Sequence, residues 1–169
     1  MRHAATARES AEAQAERLVA TYADTILRLS YTYLGSTADA EDICQTVLLR
    51  AMTRAPRFES TGHERAWIVR TTANTCKDLL KSAARRKTVA LEAAGDPAAP
   101  ADEPKLEPED STVTRAVARL PRDQREAIHL HYYEGLSIAE TAQVVGASEA
   151  AVTKRLSRAR QALRKMLGD

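Results

Sequence analysis

The 169-residue sequence has few of the residues that favour sheets and sharp turns. Aromatic residues make up only 4% of the chain, and there are six glycines and six prolines. No stretch of useful length alternates apolar and polar residues, as a half-buried strand does. Helix-favouring Ala, Leu, Arg and Glu are abundant instead, so the composition predicts an all-α fold.

Cysteines and long apolar runs are also scarce. The two cysteines, Cys44 and Cys76, lie outside any CxxC motif, which argues against a disulfide framework and favours a reducing compartment. No apolar run approaches the roughly 20 residues that a membrane-spanning helix needs, and the N-terminal stretch lacks the apolar centre of a secretory signal. These absences predict a cytoplasmic protein without membrane insertion.

Motifs that carry catalysis are missing as well. The sequence has no Gly-rich phosphate loop, no nucleophile elbow and no HExxH motif. His129 and His131 are two residues apart, a spacing that places them on different faces of a helix, and His63 lies far away, so a zinc site is not expected. We therefore expect no enzyme, no cofactor and no bound metal.

Charge divides the chain into three blocks. Residues 1–87 carry 14 Lys and Arg against 10 Asp and Glu, residues 88–110 carry one against seven, and residues 111–169 carry 10 against six. The acidic block contains four prolines and little that could form a core, which predicts an extended, flexible linker. We predict two small helical domains joined by this linker, the first at 15–87 after a flexible tail at 1–14, and the second at 111–169.

The clearest local pattern lies in the second basic block, between Glu134 and Leu167. Ser137 and Glu140 have the spacing of a capping box, Gly146 can end the short helix that follows, and Ser148 can cap the next helix. Six basic residues lie on that second helix: Lys154, Arg155, Arg158, Arg160, Arg164 and Lys165. A helix-turn-helix presents such a helix to duplex DNA, whereas the plainer alternative is a solvated charged face.

The first basic block contains three helical patterns. Apolar residues at helical spacing run from Leu18 and stop before Gly35, and Ser36 or Thr37 can cap a second helix whose predicted buried side includes Met52. A loop is predicted at 56–65 before the third helix.

The third helix combines cations with aromatic residues. Phe58 lies in the preceding loop, and Trp67 lies among the cations Arg65, Arg70, Lys77, Lys81, Arg85, Arg86 and Lys87. Cations neutralise phosphates, aromatic rings stack on unpaired bases, and an amide such as Asn74 reads base edges. The pattern therefore suits a single nucleic-acid strand, and a buried Trp beside a solvated basic surface is the alternative.

In this order, the segments resemble the extracytoplasmic-function (group IV) sigma factors of bacterial RNA polymerase, in the sigma-70 family. DAEDICQTVLLRAM is similar to the family segment DAEDLVQETFLRAW, and AWIVRTTANTCKDLLKSAARR is similar to WLxxIAxNxxxDxxRxxxR. LPRDQREAIHLHYYEGLSIAETAQVVGASEAAVTKRLSRARQAL is similar to LPxxxRxxxxLxxxEGLSxxEIAxxLxxSxGTVKSRLxRAR. The resemblance covers Leu18 to Lys87 and Val113 to Leu167.

The resemblance implies a subunit that binds core RNA polymerase and directs it to promoter DNA. The residues implied to dock on the clamp helices of the largest polymerase subunit are Asp39, Asp42, Gln45 and Arg50. Those implied to melt the -10 element and hold its non-template strand are Phe58, Arg65, Trp67, Arg70, Asn74 and Lys77. Those implied to read or support the -35 duplex are Ser148, Thr153, Lys154, Arg155, Ser157 and Arg158. The polymerase flap region and an anti-sigma factor are further implied partners.

The chain departs from the family pattern at several positions. Leu48 and Met52 replace Phe and Trp, a change expected to alter core packing. Residues 150–151 are both Ala where the pattern has Gly and Thr, and residues 153–154 are Thr and Lys where it has Lys and Ser. The -35 preference of relatives is therefore not carried over to this chain.

Two other functions are compatible with the residues. In a stand-alone helix-turn-helix regulator, the first domain senses a ligand or mediates dimerisation, and tight binding to a palindromic duplex without polymerase would mark it. A sigma-mimicking interaction protein binds a partner through its acidic edge and hardly uses DNA. In that case, Arg158→Glu would leave activity unchanged.

Overall fold

The computed structural model describes residues 10–94 and 111–168, and side chains within the first range only as far as residue 89. These residues form seven α-helices and one π-helical turn, and no strand occurs among them. The elements are α1 (Ala11–Leu34), α2 (Thr37–Thr53), α3 (Thr61–Ala94), α4 (Thr112–Ala118), α5 (Arg122–Ile128), the π-helical turn (His129–Tyr133), α6 (Ile138–Val145) and α7 (Glu149–Leu167). The predicted all-α class is confirmed.

Helix ends follow the capping residues that the sequence indicated. The Oγ of Ser36 accepts a hydrogen bond at the start of α2, and Ser137 and Glu140 form a reciprocal capping box on α6. Gly146 ends α6 in the left-handed conformation at φ 70°, which a residue with a Cβ adopts only under strain. Ser148 then caps α7, so the predicted helix-turn-helix is present.

Three helix boundaries in the structure differ from those predicted. Ser10 caps α1 at Ala11, so the last residues of the predicted 1–14 tail are helical. The Oγ of Ser60 accepts a hydrogen bond from the backbone N–H of His63, and α3 begins at Thr61, inside the predicted loop.

The third change concerns the predicted linker. Helix α3 continues to Ala94, so the first seven residues of the 88–110 segment are helical rather than extended. Their sequence, TVALEAA, contains good helix formers and neither Gly nor Pro, and the overall acidity of the block concealed this local preference. The rest of the predicted linker, residues 95–110, lies outside the described residues.

The larger core is built by the N-terminal helices, α1 to α3. Its fully buried side chains include Leu18, Ile26, Leu29, Val47 and Ile68. Two residues of the C-terminal helices, Leu130 from the π-helical turn and Val144 from α6, belong to the same cluster. The two halves of the described structure are therefore in apolar contact.

A smaller core holds the C-terminal helices, α4 to α7, together. Leu120, Ala127, Val152, Leu156 and Ala159 are buried in it, which places α7 against α4, α5 and α6. The predicted four-helix arrangement of this segment is confirmed, with the π-helical turn as an extension of α5. None of the described helices combines the length and the hydropathy that crossing a bilayer requires.

A buried carboxylate joins α1 to α3. Glu64 is 7% exposed and accepts hydrogen bonds from Nη1 and Nη2 of Arg17 at 3.0 and 2.9 Å. The Tyr22 hydroxyl donates a third bond at 2.8 Å. The hydrogen bond from Arg17 is the main cause that lowers the pKa of Glu64, although burial opposes it. Burial, together with Glu64, raises the pKa of Tyr22 to about 12.

Replacing Glu64 with Ala is expected to lower the free energy of unfolding by about 2 kcal/mol at neutral pH, because the change removes a buried acceptor shared by two donors. Since folding lowers the pKa of Glu64, its contribution is present above the ordinary carboxyl value of 4.5 and is lost as the pH falls through the folded value. Urea titrations at neutral and acidic pH should therefore show that the free energies of unfolding of Glu64→Ala and of the unsubstituted chain become similar in acid.

Asp24→Ala is the matched control, because its carboxylate is 78% exposed and forms only a surface pair with Arg28. We expect this control to change the free energy of unfolding by less than about 0.5 kcal/mol. An equal loss in both variants would contradict a special role for the buried carboxylate.

Candidate functional site

The solvent side of α2 carries three of the predicted polymerase contacts. Asp39, Asp42 and Gln45 are exposed at three-residue intervals, while the opposite side of the helix packs on the core. Leu49 and Met52 continue the same side and are 62% and 37% exposed. We call these five residues the outer face of α2.

Two of the outer-face residues were not expected there. The sequence placed Met52 in the core, which is wrong, because the buried arc of α2 ends at Ala51 and the next residue turns about 100° away from it. Leu48, assigned to the core as well, is half-buried. The sequence analysis did not single out Leu49. A helical-wheel projection that points Ile43 and Val47 toward the core places Leu49 on the solvent side.

Arg50, the fourth predicted polymerase contact, is exposed but engaged with α3. Its Nη1 donates a hydrogen bond to the Thr75 hydroxyl at 2.9 Å. The side chain therefore ties α2 to α3 at the end distant from Asp39.

Four of the six predicted -10 contacts lie together. The loop before α3 places the Phe58 ring edge-on to Trp67, with 5.8 Å between ring centroids, and 5.6 Å from His63. Arg70 and Asn74 are exposed one and two turns further along α3. We call these five residues the aromatic-cation face. Sequence reasoning did not include His63, although it precedes Trp67 by four residues and so shares its side of the helix.

The other two predicted -10 contacts point to the C-terminal helices. Nη2 of Arg65 lies 2.7 Å from Oε2 of Glu134, which is 3% exposed. Nζ of Lys77 donates a hydrogen bond to the carbonyl oxygen of Val144 at 2.5 Å and lies 3.7 Å from Oε1 of Glu126. The structure therefore engages Arg65 and Lys77 with the C-terminal helices.

The π-helical turn explains how Glu134 reaches Arg65. The N–H of Glu134 bonds to the carbonyl of His129, five residues earlier, at 3.0 Å. In a regular α-helix, residues five apart are rotated by about 140°, whereas the wider π-helical turn brings their side chains closer together. Nε2 of His129 consequently lies 3.1 Å from Oε1 of Glu134. Burial raises the pKa of Glu134, but the bonds from His129 and Arg65 outweigh it and hold that pKa below its usual range.

A third buried carboxylate, Glu126, is held by Tyr33. The Tyr33 hydroxyl donates a hydrogen bond to Oε1 of Glu126, across the boundary between the N-terminal and C-terminal helices. Burial raises the pKa of Glu126, and the hydrogen bond from Tyr33 and the charge of Lys77 oppose that effect. Burial also raises the pKa of Tyr33. Neither residue was singled out from the sequence, because buried pairs between distant segments leave no spacing pattern.

The predicted -35 residues divide into structural and exposed groups. Ser148 is the N-cap of α7, and the Thr153 hydroxyl bonds to the carbonyl of Glu149 at 2.9 Å. Arg155 is partly buried, with Nε 3.5 Å from Oδ2 of Asp123 on α5. Within α7, the exposed members are Thr153, Lys154, Ser157 and Arg158, and the cap Ser148 is exposed as well. We call the surface formed by these four exposed residues the solvent face of α7.

No group of His, Cys, Asp or Glu side chains within residues 10–89 and 111–168 is arranged to hold a metal ion. The two cysteines are buried thiols, and burial raises the pKa of each.

Two family models match the chain in the order of its helical segments. The model "Sigma-70 region 2" matches residues 18–86, and the model "Sigma-70, region 4" matches residues 111–163. The first match contains α2 and the aromatic-cation face, and the second contains the helix-turn-helix. Together they account for well over half of the chain.

Similar proteins include three described as RNA polymerase sigma factors. The ECF sigma factor BldN of Streptomyces coelicolor is 35% identical over 162 residues, covering 90% of this chain and 60% of BldN. The probable sigma factor RfaY of Xanthomonas campestris is 32% identical over 158 residues, covering 89% of this chain and 40% of RfaY. The ECF sigma factor SigM of Mycobacterium tuberculosis is 34% identical over 141 residues, covering 83% of this chain and 70% of SigM. The chain therefore spans less than two thirds of BldN and RfaY.

Solved structures share the fold at lower identity. The sigma factor RpoE of Bartonella quintana, solved with the anti-sigma factor NepR, has a TM-score of 0.65 and 21% identity, with 90% of this chain and 96% of RpoE covered. CnrH, solved with the cytosolic domain of CnrY, has a TM-score of 0.55 and 23% identity, with 94% of each chain covered. With both family regions present in order, the chain belongs to the extracytoplasmic-function group of the sigma-70 family.

Proposed function

We propose that this chain is a promoter-specificity subunit of bacterial RNA polymerase. It binds the core enzyme, holds the non-template strand of the -10 element, reads the -35 duplex and performs no catalysis itself. The observation that carries the proposal is the order of the two family regions on one chain, each with its predicted contact face exposed. Two domains, predicted at 15–87 and 111–169 and extended here to the ends of α1 and α3, and a cytoplasmic location are parts of the same proposal.

The outer face of α2 is the surface that we assign to the polymerase clamp helices. It joins two carboxylates and an amide to the exposed apolar side chains Leu49 and Met52. Protein interfaces commonly combine an apolar centre with a polar rim, so a partner that presents apolar and basic side chains is complementary to this face. Arg50 contributes through its bond to Thr75, which fixes α2 on α3.

The aromatic-cation face is assigned to the -10 strand. Phe58 and Trp67 offer ring surfaces at one end of the face, and Arg70 and Asn74 offer a cation and an amide next to them. Stacking of unpaired bases on aromatic rings and pairing of cations with phosphates are the two main contributions to single-strand binding. Arg65 and Lys77 join this set once they are released from Glu134 and Val144.

The solvent face of α7 is assigned to the -35 duplex. Lys154 and Arg158 can contact phosphates or guanine edges, and Thr153 and Ser157 supply short polar groups beside them. Arg155 acts through Asp123 to hold α7 against α5. We assign the flap region of the polymerase to the C-terminal helices. We also assign an anti-sigma factor to the chain as its regulator, since the sigma factor RpoE was solved in complex with the anti-sigma factor NepR.

Transcription with core RNA polymerase on a fragmented genomic library tests the proposed function. Addition of the chain should produce new transcripts whose start sites share upstream sequence elements. The proposal fails if the folded chain neither binds core polymerase nor redirects it. Tight binding to a palindromic duplex without polymerase would instead support a stand-alone regulator.

Leu49→Ala is expected to weaken core-polymerase binding about tenfold, because it removes apolar surface from the centre of the outer face. Binding can be measured by fluorescence anisotropy with the labelled chain. Val19→Ala is the matched control, because Val19 is a 51% exposed apolar residue on α1 outside that face. If Leu49→Ala and Val19→Ala bound core polymerase with equal affinity, the outer face would not be part of the interface.

Arg158→Ala is expected to weaken binding to a -35 duplex and to reduce the dependence of log affinity on log salt by about one unit, because one phosphate-neutralising charge is lost. Arg160→Ala removes the same charge from the edge of α7 that faces Tyr132, where the two side chains lie 3.4 Å apart. Electrophoretic mobility shifts at several salt concentrations compare the two. A larger effect of Arg160→Ala would place the duplex on the other edge of α7.

A further inference from the structure

A cavity of about 560 Å³ lies between the N-terminal and the C-terminal helices. Its walls come from α1, α2, α4, α5 and the π-helical turn, so both groups of helices contribute to it. None of the three contact faces assigned above supplies a residue to these walls. Small-molecule sites in proteins have volumes of about 300–1,000 Å³, so the cavity has the size of a site for one organic molecule.

The walls of the cavity are mostly apolar. Leu27 and Ala40 come from the N-terminal helices, and Val117 comes from α4. Tyr133 adds an aromatic ring, which stacks on the His129 imidazole with 5.3 Å between ring centroids. Such a surface attracts the hydrocarbon part of a ligand, because binding removes apolar surface of both partners from water.

The guanidinium group of Arg125 lies in the same wall without a carboxylate partner. Its Nε donates a hydrogen bond to the Thr32 carbonyl at 3.1 Å, and its Nη1 donates one to the Ala118 carbonyl at 2.8 Å. These two bonds fix the group between α1 and α4. Among the side chains that the structure describes, no carboxylate lies within salt-bridge distance of Arg125.

Arg125 therefore has unused capacity to bind an anion. A guanidinium carries five N–H donors, and the two carbonyls engage only some of them. Burial is the main cause that lowers the pKa of Arg125, as expected for a cation that is withdrawn from water without a counter-charge. An anionic group in the cavity would supply the missing counter-charge.

The other charged residues of the wall restrict the charge of the ligand. Arg28 pairs with Asp24 at 2.6 Å, and His129 is already bonded to Glu134. Glu41, which is exposed, also lines the cavity and repels anions. A ligand with one negative charge thus meets one uncompensated cation, whereas a second negative charge would find no partner here.

The volume of the cavity argues against a protein helix as the occupant. A helix with its side chains is 10–12 Å wide and rises 5.4 Å per turn, so a single turn takes up about 400–600 Å³. The cavity therefore has room for one turn at most. A hydrocarbon chain or ring with one carboxylate needs less volume and matches the wall better.

We propose that this cavity binds a small amphipathic monocarboxylate. Its carboxylate pairs with Arg125, and its apolar body lies against Leu27, Val117 and Tyr133. Hydrogen bonds between two charged groups are about twice as strong as neutral ones, so the headgroup fixes the orientation of the ligand. The site does not depend on the proposed function, and it gives the chain a place where a small molecule touches both groups of helices.

Binding of octanoate to the full-length chain tests the site by isothermal titration calorimetry at neutral pH. Octan-1-ol and octyltrimethylammonium are the comparison ligands, because they carry the same chain on a neutral and on a positive headgroup. Octanoate should bind one site with a Kd below about 1 mM, and at least about tenfold more tightly than either comparison ligand.

Three results of this titration would overturn the proposal. The first is the absence of saturable octanoate binding. The second is equal binding of octanoate and octan-1-ol, which would mean that the cavity selects no charge. The third is tighter binding of octyltrimethylammonium, which would assign the headgroup to Glu41 instead of Arg125.

Arg125→Gln identifies the residue that binds the headgroup. The variant keeps an amide donor for the two carbonyls but loses the positive charge, so octanoate should lose its preference of about tenfold over octan-1-ol. A general loss of packing would weaken both ligands and leave their ratio unchanged, and that outcome would contradict the assignment. Arg119→Gln is the matched control and should keep the preference, because Arg119 is exposed and lies outside the cavity wall.

Thr114→Trp tests the location of the site without disturbing Arg125. Thr114 is exposed and lines the cavity, so an indole ring at this position can occupy the space of the ligand. Val113→Trp is the matched control, because Val113 is 48% exposed and does not line the cavity. The affinity for octanoate should fall at least about tenfold in Thr114→Trp and less than about twofold in Val113→Trp. If both variants bound octanoate equally, the ligand would lie elsewhere and the proposal would be wrong.

Discussion

Buried carboxylates decide how the helices of this chain pack. Glu64, Glu126 and Glu134 are each less than 10% exposed, and each accepts hydrogen bonds from another helix. A carboxylate withdrawn from water without a partner destabilises a fold strongly, so these three residues restrict the arrangements that the helices can adopt. Glu64 fixes α1 on α3 within the N-terminal helices. Glu126 and Glu134 fix the C-terminal helices on the N-terminal ones through Tyr33 and Arg65.

Helix α3 serves both sides of this arrangement. It carries the exposed Arg70 and Asn74 beside the half-buried Trp67, while Arg65 and Lys77 bond to the C-terminal helices. One basic helix therefore supplies the groups proposed for strand capture and the groups that bind the C-terminal helices. Under the proposed function, Arg65 and Lys77 are therefore needed in two places, at the C-terminal helices and at the -10 strand.

Much of the local structure could be predicted from the sequence, because caps and helical periodicity act over short distances. Ser36, the box formed by Ser137 and Glu140, and Gly146 all lie at the helix ends where the sequence placed them. The division of α3 could not be predicted, because the partners of Arg65 and Lys77 are more than 60 residues away. The sequence therefore predicts which residues belong to the candidate site. The tertiary contacts determine which of these residues lie together.

The π-helical turn has a consequence for how chain length can vary in this region. A one-residue insertion is accommodated here as a bulge, which shifts the register of everything that follows by about 100°. Deleting one residue between His129 and Tyr133 would restore regular α-helical winding and turn the Glu134 carboxylate away from both His129 and Arg65. A chain with one residue fewer at this point would therefore lose the bonds from His129 and Arg65 to Glu134, even if every contact residue were identical.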